Sequence, residues 1–220
     1  MHKNVANLEY IKNHINEKIK ETGLKNYFPK VVAVSKTFKI DDINPLIENG
    51  HVDYGENKVQ EALEKWTDVK KNNPLIKLHM IGKLQTNKVK LALKIFDYIH
   101  SVDNIKLAQK ISNEEIKLGK KIKIFIQVNL ANENQKSGVE NNELKNLYQF
   151  CLEKGLDVQG LMCLPPFNED SEMYFSKLKE LNDELGLNEL SMGMSHDYIK
   201  SIKYKSTYLR IGSKIFGNRD

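Results

Sequence analysis

Lys36 closes the apolar run Val31-Val32-Ala33-Val34-Ser35-Lys36. Such a run reads as a buried strand, and a lysine at its end has its amine at the mouth of a core. Burial penalises the ammonium form and lowers the pKa, leaving more of the amine nucleophilic. An amine of this kind can form a Schiff base with an aldehyde or ketone. The same segment also suits a plain strand-end lysine whose stem packs while its head reaches water. A second signal comes from the other end of the chain. Of 34 basic residues only Arg210 and Arg219 are arginine. Where lysine serves almost everywhere, a retained arginine suggests a need for a planar, permanently charged donor. Arg210 sits in the strand-like run Thr207-Tyr208-Leu209-Arg210-Ile211 and is expected to point into a pocket. Biased codon usage is the bland alternative.

Two Gly/Ser segments complete the set. Gly193 and Ser195 follow a weak strand near the end of the chain, and Gly212 and Ser213 follow the last one. Glycine lets a backbone approach an anion closely, and hydroxyls with free helix-start amides donate to it. Each pair alone is an ordinary helix start. Together with Lys36 they suggest a phosphorylated carbonyl compound held by one covalent bond and one anion site. Pyridoxal 5'-phosphate has both handles.

These residues need a frame that brings the ends of the chain together. Apolar runs alternate with amphipathic stretches throughout. An opening helix carries Leu8, Ile11, Ile15 and Ile19 on one face. Strands are expected at 31–36, 52–54, 77–81, 98–102, 122–130, 158–164, 189–191 and 207–211. Helices are expected at about 41–49, 59–66, 86–96, 105–111, 144–152, 174–185 and 195–204, from apolar residues at helical spacing and from stops such as Gly50 and Gly186. Alternating strands and helices indicate a parallel α/β fold. The count fits a closed (β/α)8 TIM barrel with an extra N-terminal helix, and 220 residues is near the short end for that fold. The rival is an open doubly wound sheet, but no GxGxxG follows the first strand, and no Walker A loop or HExxH occurs. No linker or composition shift divides the chain, so a single domain over 1–220 is expected.

A barrel carries its chemistry at the C-terminal ends of its strands. Those ends supply Lys36, Asn57, Gly82, His100-Ser101, Asn129 and Met162, then Ser191 to Ser195 and Arg210 to Ser213. Composition narrows the function classes. The net charge of +5 comes from lysines scattered among acidic residues, with no basic tract interleaved with aromatics, so a nucleic-acid partner is not expected. No apolar run approaches a membrane span and no signal peptide is visible. Cys151 and Cys163 are isolated and apolar-flanked, as in a reducing cytoplasm. They form no metal-ligand cluster.

In order along the chain stand VVAVSKTF, YGENKVQE, HMIGKLQTNK, HSVDN, QVNLANENQKSGV, GLMCLPP, LSMGMSHD and STYLRIGSKIFGNRD. This series resembles the pyridoxal phosphate homeostasis proteins, relatives of the alanine racemase N-terminal barrel, over nearly the whole chain. The resemblance implies a single barrel that holds pyridoxal 5'-phosphate as an internal aldimine on Lys36. Arg210 would face the pyridine nitrogen and keep it unprotonated, since adjacent positive charges repel. Ser195, Gly212 and Ser213 would hold the phosphate. Asn57, His79 and Met162 would be further pocket residues, although a strand histidine is commonly a hydrogen-bonded core residue. Leu78, Lys83 and His196 depart from the family's usual tryptophan, proline and acidic or amide residue. These changes bear on the pocket rim, ligand preference and any partner interface.

The resemblance further implies a cytoplasmic, monomeric carrier in vitamin B6 homeostasis, with pyridoxal phosphate-dependent apo-enzymes as partners and no robust catalysis. A racemase needs a base on each face of the substrate carbon. In the racemases this barrel resembles, one base is a tyrosine of a second domain, which is not expected here. A weak amino-acid racemase and a cofactor-free Schiff-base aldolase are the alternatives.

Overall fold

Continuous apolar runs, each a few residues long, fold as strands that are covered on both sides. The amphipathic segments between them cover the outer side as helices. The computed structural model describes residues 1–131 and 137–217. Helix α1 (Lys3–Thr22) buries Leu8, Ile11 and Ile15 in one stripe. Gly23, at φ 65°, ends it by turning its amide back to the Ile19 carbonyl, a left-handed cap that glycine adopts freely. The strands follow: β1 (Lys30–Val34), β2 (Asp53–Glu56), β3 (Lys77–Met80), β4 (Tyr98–Val102), β5 (Lys123–Gln127), β6 (Asp157–Met162), β7 (Glu189–Met194) and β8 (Tyr208–Ile211). Between them lie α2 (Ile40–Glu48), α3 (Val59–Asn72), α4 (Val89–Ile95), α5 (Ile105–Leu118), α6 (Leu144–Glu153), α7 (Ser171–Glu184) and α8 (Tyr198–Ile202), and α9 (Ser213–Phe216) follows β8.

Each strand pairs in parallel with the next, and β8 returns to pair with β1 and close the barrel. Closure explains how Lys36 and Arg210 can share one mouth. Val32 lies opposite Arg210 in the β1–β8 register. Alternate strand residues point inward. Val32, Tyr98, Phe125, Met162 and Tyr208 fill the interior as one apolar cluster. The outward residues pack with the helices into a second, larger core.

The opening helix is tied to the last elements of the chain. It packs against α2, α8 and α9. Asn7 Nδ2 donates to the Ile215 carbonyl at 2.9 Å, and His14 Nδ1 lies 3.0 Å from the Tyr198 hydroxyl. Helix α1 thereby braces the segments that follow β7 and β8.

Three expectations shift. The seventh strand runs on to Met194, so Gly193 belongs to a strand and not to the loop after it. Gly193 has φ 90°, and the β7–β8 register jumps between Ser191 and Met194. The segment is a bulge, which the pattern of small and flexible residues concealed. The fifth strand stops at Gln127, and Val128 continues only as an isolated bridge to Val139. The 86–96 helix opens as a 3-10 turn, Thr86–Lys88, before α4. Arg219 and residues 132–136 of the QVNLANENQKSGV segment lie outside the described residues. No helix among those residues is long and apolar enough to cross a membrane.

Candidate functional site

A cavity of about 830 Å3 opens at the C-terminal ends of the strands. Lys36, Asn57, Ser195, Arg210, Gly212 and Ser213 all line it, with Val34, Ile81 and Met194 as its apolar walls. His79 and Met162 do not. Both are fully buried in the barrel interior, His79 on hydrogen bonds and Met162 in the apolar cluster. None of the described residues lining the cavity is acidic. With one lysine, one arginine and two serines, the site is built for an anion.

The lysine is positioned by its neighbours. β1 ends at Val34, and Lys36 lies half-buried two residues beyond. Ser35 Oγ donates to Glu56 Oε1 at 2.7 Å. The same oxygen accepts from Lys65 Nζ at 3.0 Å and from Trp66 Nε1 at 2.9 Å. On the other side the Thr37 amide donates to Glu61 Oε1 at 2.6 Å, with Thr37 at φ 71°. A positive φ is costly for a β-branched residue and persists only where its surroundings enforce it. Sequence reasoning missed this carboxylate clamp. The available signal was Glu56 itself, an acid inside a strand that otherwise reads as buried.

Ser195 stands just after β7. Its Oγ accepts from the Gly212 amide at 3.2 Å and the Lys214 amide at 3.3 Å, which joins the seventh and eighth strand ends. At Gly212 an added Cβ would lie 3.3 Å from both Val34 Cβ and the Val34 carbonyl oxygen, so the glycine keeps the cavity floor open. The Asn57 Oδ1 atom is buried without a hydrogen-bond partner. An unpaired buried acceptor at a cavity wall leaves a vacant bonding position for a ligand donor.

Arg210 is 3% exposed. Its Nη1 donates to Ser191 Oγ at 2.5 Å and its Nη2 to the Cys163 carbonyl at 2.9 Å. Burial pulls its pKa down to about 10, against the opposing pull of Cys163 and Asp197. The guanidinium therefore stays charged at neutral pH. Burial also pushes the Cys163 thiol up to about 12, so it is protonated at neutral pH. No group of metal-ligating side chains occurs among the described residues.

The chain matches the family of the alanine racemase N-terminal domain over residues 6–220. It is 38% identical to the pyridoxal phosphate homeostasis protein of Aquifex aeolicus, across 96% of each chain. The chain belongs to the pyridoxal phosphate homeostasis protein family. Among solved structures, a protein of unknown function from Bifidobacterium adolescentis superposes with a TM-score of 0.89 at 28% identity, over 97% of this chain and 94% of that one. PipY from Synechococcus elongatus, solved with PLP bound, superposes at 0.78 with 31% identity, over 92% of this chain and all of PipY. In this family member the six cavity-lining candidates therefore sit on a barrel shared with a PLP-bound relative.

Proposed function

We propose that this chain binds pyridoxal 5'-phosphate in the cavity at the strand ends and works in vitamin B6 homeostasis as a carrier or buffer, without robust catalysis. The observation that carries the reading is the meeting of one lysine amine, one buried arginine and a Ser195–Gly212–Ser213 cradle in a cavity lined by no acid. When bound, pyridoxal phosphate supplies an aldehyde that reacts with amines, together with a dianionic phosphate and a pyridine nitrogen. The residues present fit that group. Lys36 supplies the amine, held in place by Ser35 and Thr37. Ser195, Gly212 and Ser213 supply the anion site, and Asn57 Oδ1 is an acceptor with an open position.

Arg210 argues for holding over turnover. It is charged at neutral pH, and it faces the cavity as a rigid donor. A cation beside a pyridine nitrogen opposes protonation of that nitrogen, and so weakens the ring as an electron sink. Two of its five N–H donors are held by Ser191 and Cys163, which fixes its plane. The names of the curated relatives and the PLP-bound PipY structure support the same reading. Apo-enzymes that need the cofactor are the natural recipients.

The test is the visible absorbance of the purified full chain with added pyridoxal phosphate. A band that borohydride fixes covalently, and that Lys36→Ala abolishes, is the expected result. A colourless protein at saturating cofactor sinks the reading. The non-catalytic part is checked by incubating D- and L-amino acids in deuterated water, where no α-hydrogen exchange is expected. Exchange that depends on Lys36 would make the chain a racemase.

A further inference from the structure

Arg210 presents a puzzle of charge. Among the described residues it has no ion-pair partner, and both its acceptors are neutral. A buried charge is normally paired. From its acceptor Ser191 a line of hydrogen bonds crosses the barrel interior to a carboxylate. His100 Nδ1 lies 2.7 Å from Ser191 Oγ, His79 Nδ1 lies 2.9 Å from His100 Nε2, and His79 Nε2 lies 2.9 Å from Asp53 Oδ1. Asp53 opens β2 at the N-terminal end of the barrel, opposite the cavity, and its side chain is 13% exposed.

With both rings neutral, the donors in this line take one direction. An ionised carboxylate only accepts, so His79 Nε2 carries the proton and donates to Asp53. Burial lowers the His79 pKa against the pull of Asp53, and lowers that of His100 well below the ordinary value, with the charge of Arg210 adding to it. Both rings are therefore neutral at pH 7. A neutral His79 has a bare Nδ1, so His100 Nε2 donates to it. A neutral His100 then has a bare Nδ1, so the Ser191 hydroxyl donates its proton there. The Ser191 lone pairs are left facing Arg210, as that contact requires. Every donor points from Arg210 towards Asp53, and aligned bonds polarise one another. Aromatic walls lock the rings. His79 stacks on Tyr98 at 4.3 Å and His100 on Phe125 at 4.4 Å between centroids.

We propose that Asp53 is a positioning residue which, through His79, His100 and Ser191, sets the orientation and charge that Arg210 presents to the ligand in the cavity. For the identity of that ligand the proposal rests on the pyridoxal phosphate reading. Other charges touch the two ends of the relay. Lys77 and His51 act on Asp53, Asp97 and Lys30 on His79, and Asp197 on Arg210. None of them is hydrogen-bonded into the line between Asp53 and Arg210.

The experiment is nitrogen NMR on the full chain without cofactor, then absorbance with it. In wild-type protein at pH 7 both His79 and His100 are expected to be Nε2–H tautomers. A proton on Nδ1 of either overturns the relay. Asp53→Asn turns an acceptor-only group into one that can donate, so the line can reverse. The guanidinium resonance of Arg210, one of only two arginines in the chain, should then move, and Asp53→Glu should restore it. With cofactor bound, losing the distant negative charge should lower the pH midpoint of the visible band by about 0.5 unit, roughly a threefold change in proton affinity. A folded Asp53→Asn protein with unchanged Arg210 resonance and unchanged midpoint overturns the proposal. Should Asp53→Asn not fold, the wild-type tautomers still decide. Tautomers and resonance behaving as expected in a protein that takes up no pyridoxal phosphate would sustain the relay and sink the cofactor reading alone.

Discussion

Ser35 Oγ donates to Glu56 Oε1 at 2.7 Å, across the ends of two adjacent strands and one residue before Lys36. The bond is one of three on the same carboxylate oxygen, the others coming from Lys65 and Trp66. Glu56 is fully buried, and Lys65 is nearly so, with 9% of its side chain exposed. The residue just before Lys36 is therefore anchored by a carboxylate that does not line the cavity.

Glu56→Ala removes the acceptor and leaves the Lys65 ammonium and the Trp66 indole N–H buried without it. Lys65 keeps Glu61 Oε1 at 3.0 Å and the Ser35 carbonyl at 2.9 Å, so the cost is that of buried donors losing one acceptor, about 1–3 kcal/mol. Urea denaturation should show a loss of that order, and cofactor retention should fall with it because Ser35 loses its anchor. A loss under about 1 kcal/mol would show that the clamp is not what fixes Lys36.

Ser195→Ala frees the amides of Gly212 and Lys214. The two bonds are long, 3.2 and 3.3 Å, so the effect on folding should be small. If the hydroxyl also serves the phosphate, cofactor affinity should drop about tenfold, equivalent to ~1.4 kcal/mol and within the range of one hydrogen bond to a charged group or slightly below it. Fluorescence titration with pyridoxal phosphate measures it. Unchanged affinity would remove Ser195 from the anion site.

Gly82→Ala would place a Cβ 2.5 Å from the Asn57 carbonyl oxygen and 2.8 Å from Asn57 Cβ. Most of that is backbone, which cannot swing away. Asn57 must move, and with it one wall of the cavity. The expected outcome is weakened cofactor binding together with a melting temperature several degrees lower, by about the 1–3 kcal/mol of an overpacked core. Binding and stability equal to wild type would mean the two loops have slack.

Stability should fall on mild acidification. Burial lowers the His51 pKa to about 4, and lowers those of His79 and His100 as well. Below pH ~6.5 the unfolded chain takes up protons on these groups that the folded chain refuses. Stability is then fully present above that pH and declines as pH falls towards 4, by up to about 1.4 kcal/mol per pH unit for each histidine. Denaturation midpoints measured between pH 7.5 and 4.5 check the slope. A flat profile would mean that the buried rings are protonated in the folded state.

Much of the barrel was legible because buried parallel strands and their covering helices differ so plainly in pattern. Lys36 and Arg210 each stood out against an apolar strand, and they line one cavity because closure makes β1 and β8 neighbours. His79 was misplaced for a physical reason. Its position in β3 fits a pocket residue and an interior residue equally, and only its contacts decide. Those contacts lie far off in sequence, 21 positions away at His100, which in turn reaches 91 positions to Ser191. Nothing local marks such a line. Gly193 was misread because a bulge built from Met, Gly and Ser lacks the β-branched residues that announce a strand.

The bond from Asn7 to Ile215 joins residues 208 positions apart, and β1 has its eighth-strand partner only at the far end of the chain. Contacts this distant are slow to form, because a long loop must close before they contribute. While the chain is being synthesised, Lys36 is present long before Arg210, Gly212 and Ser213. A nascent chain thus carries Lys36 without the anion site beside it, and gains a complete binding site only once β8 and the Gly212–Ser213 segment have emerged.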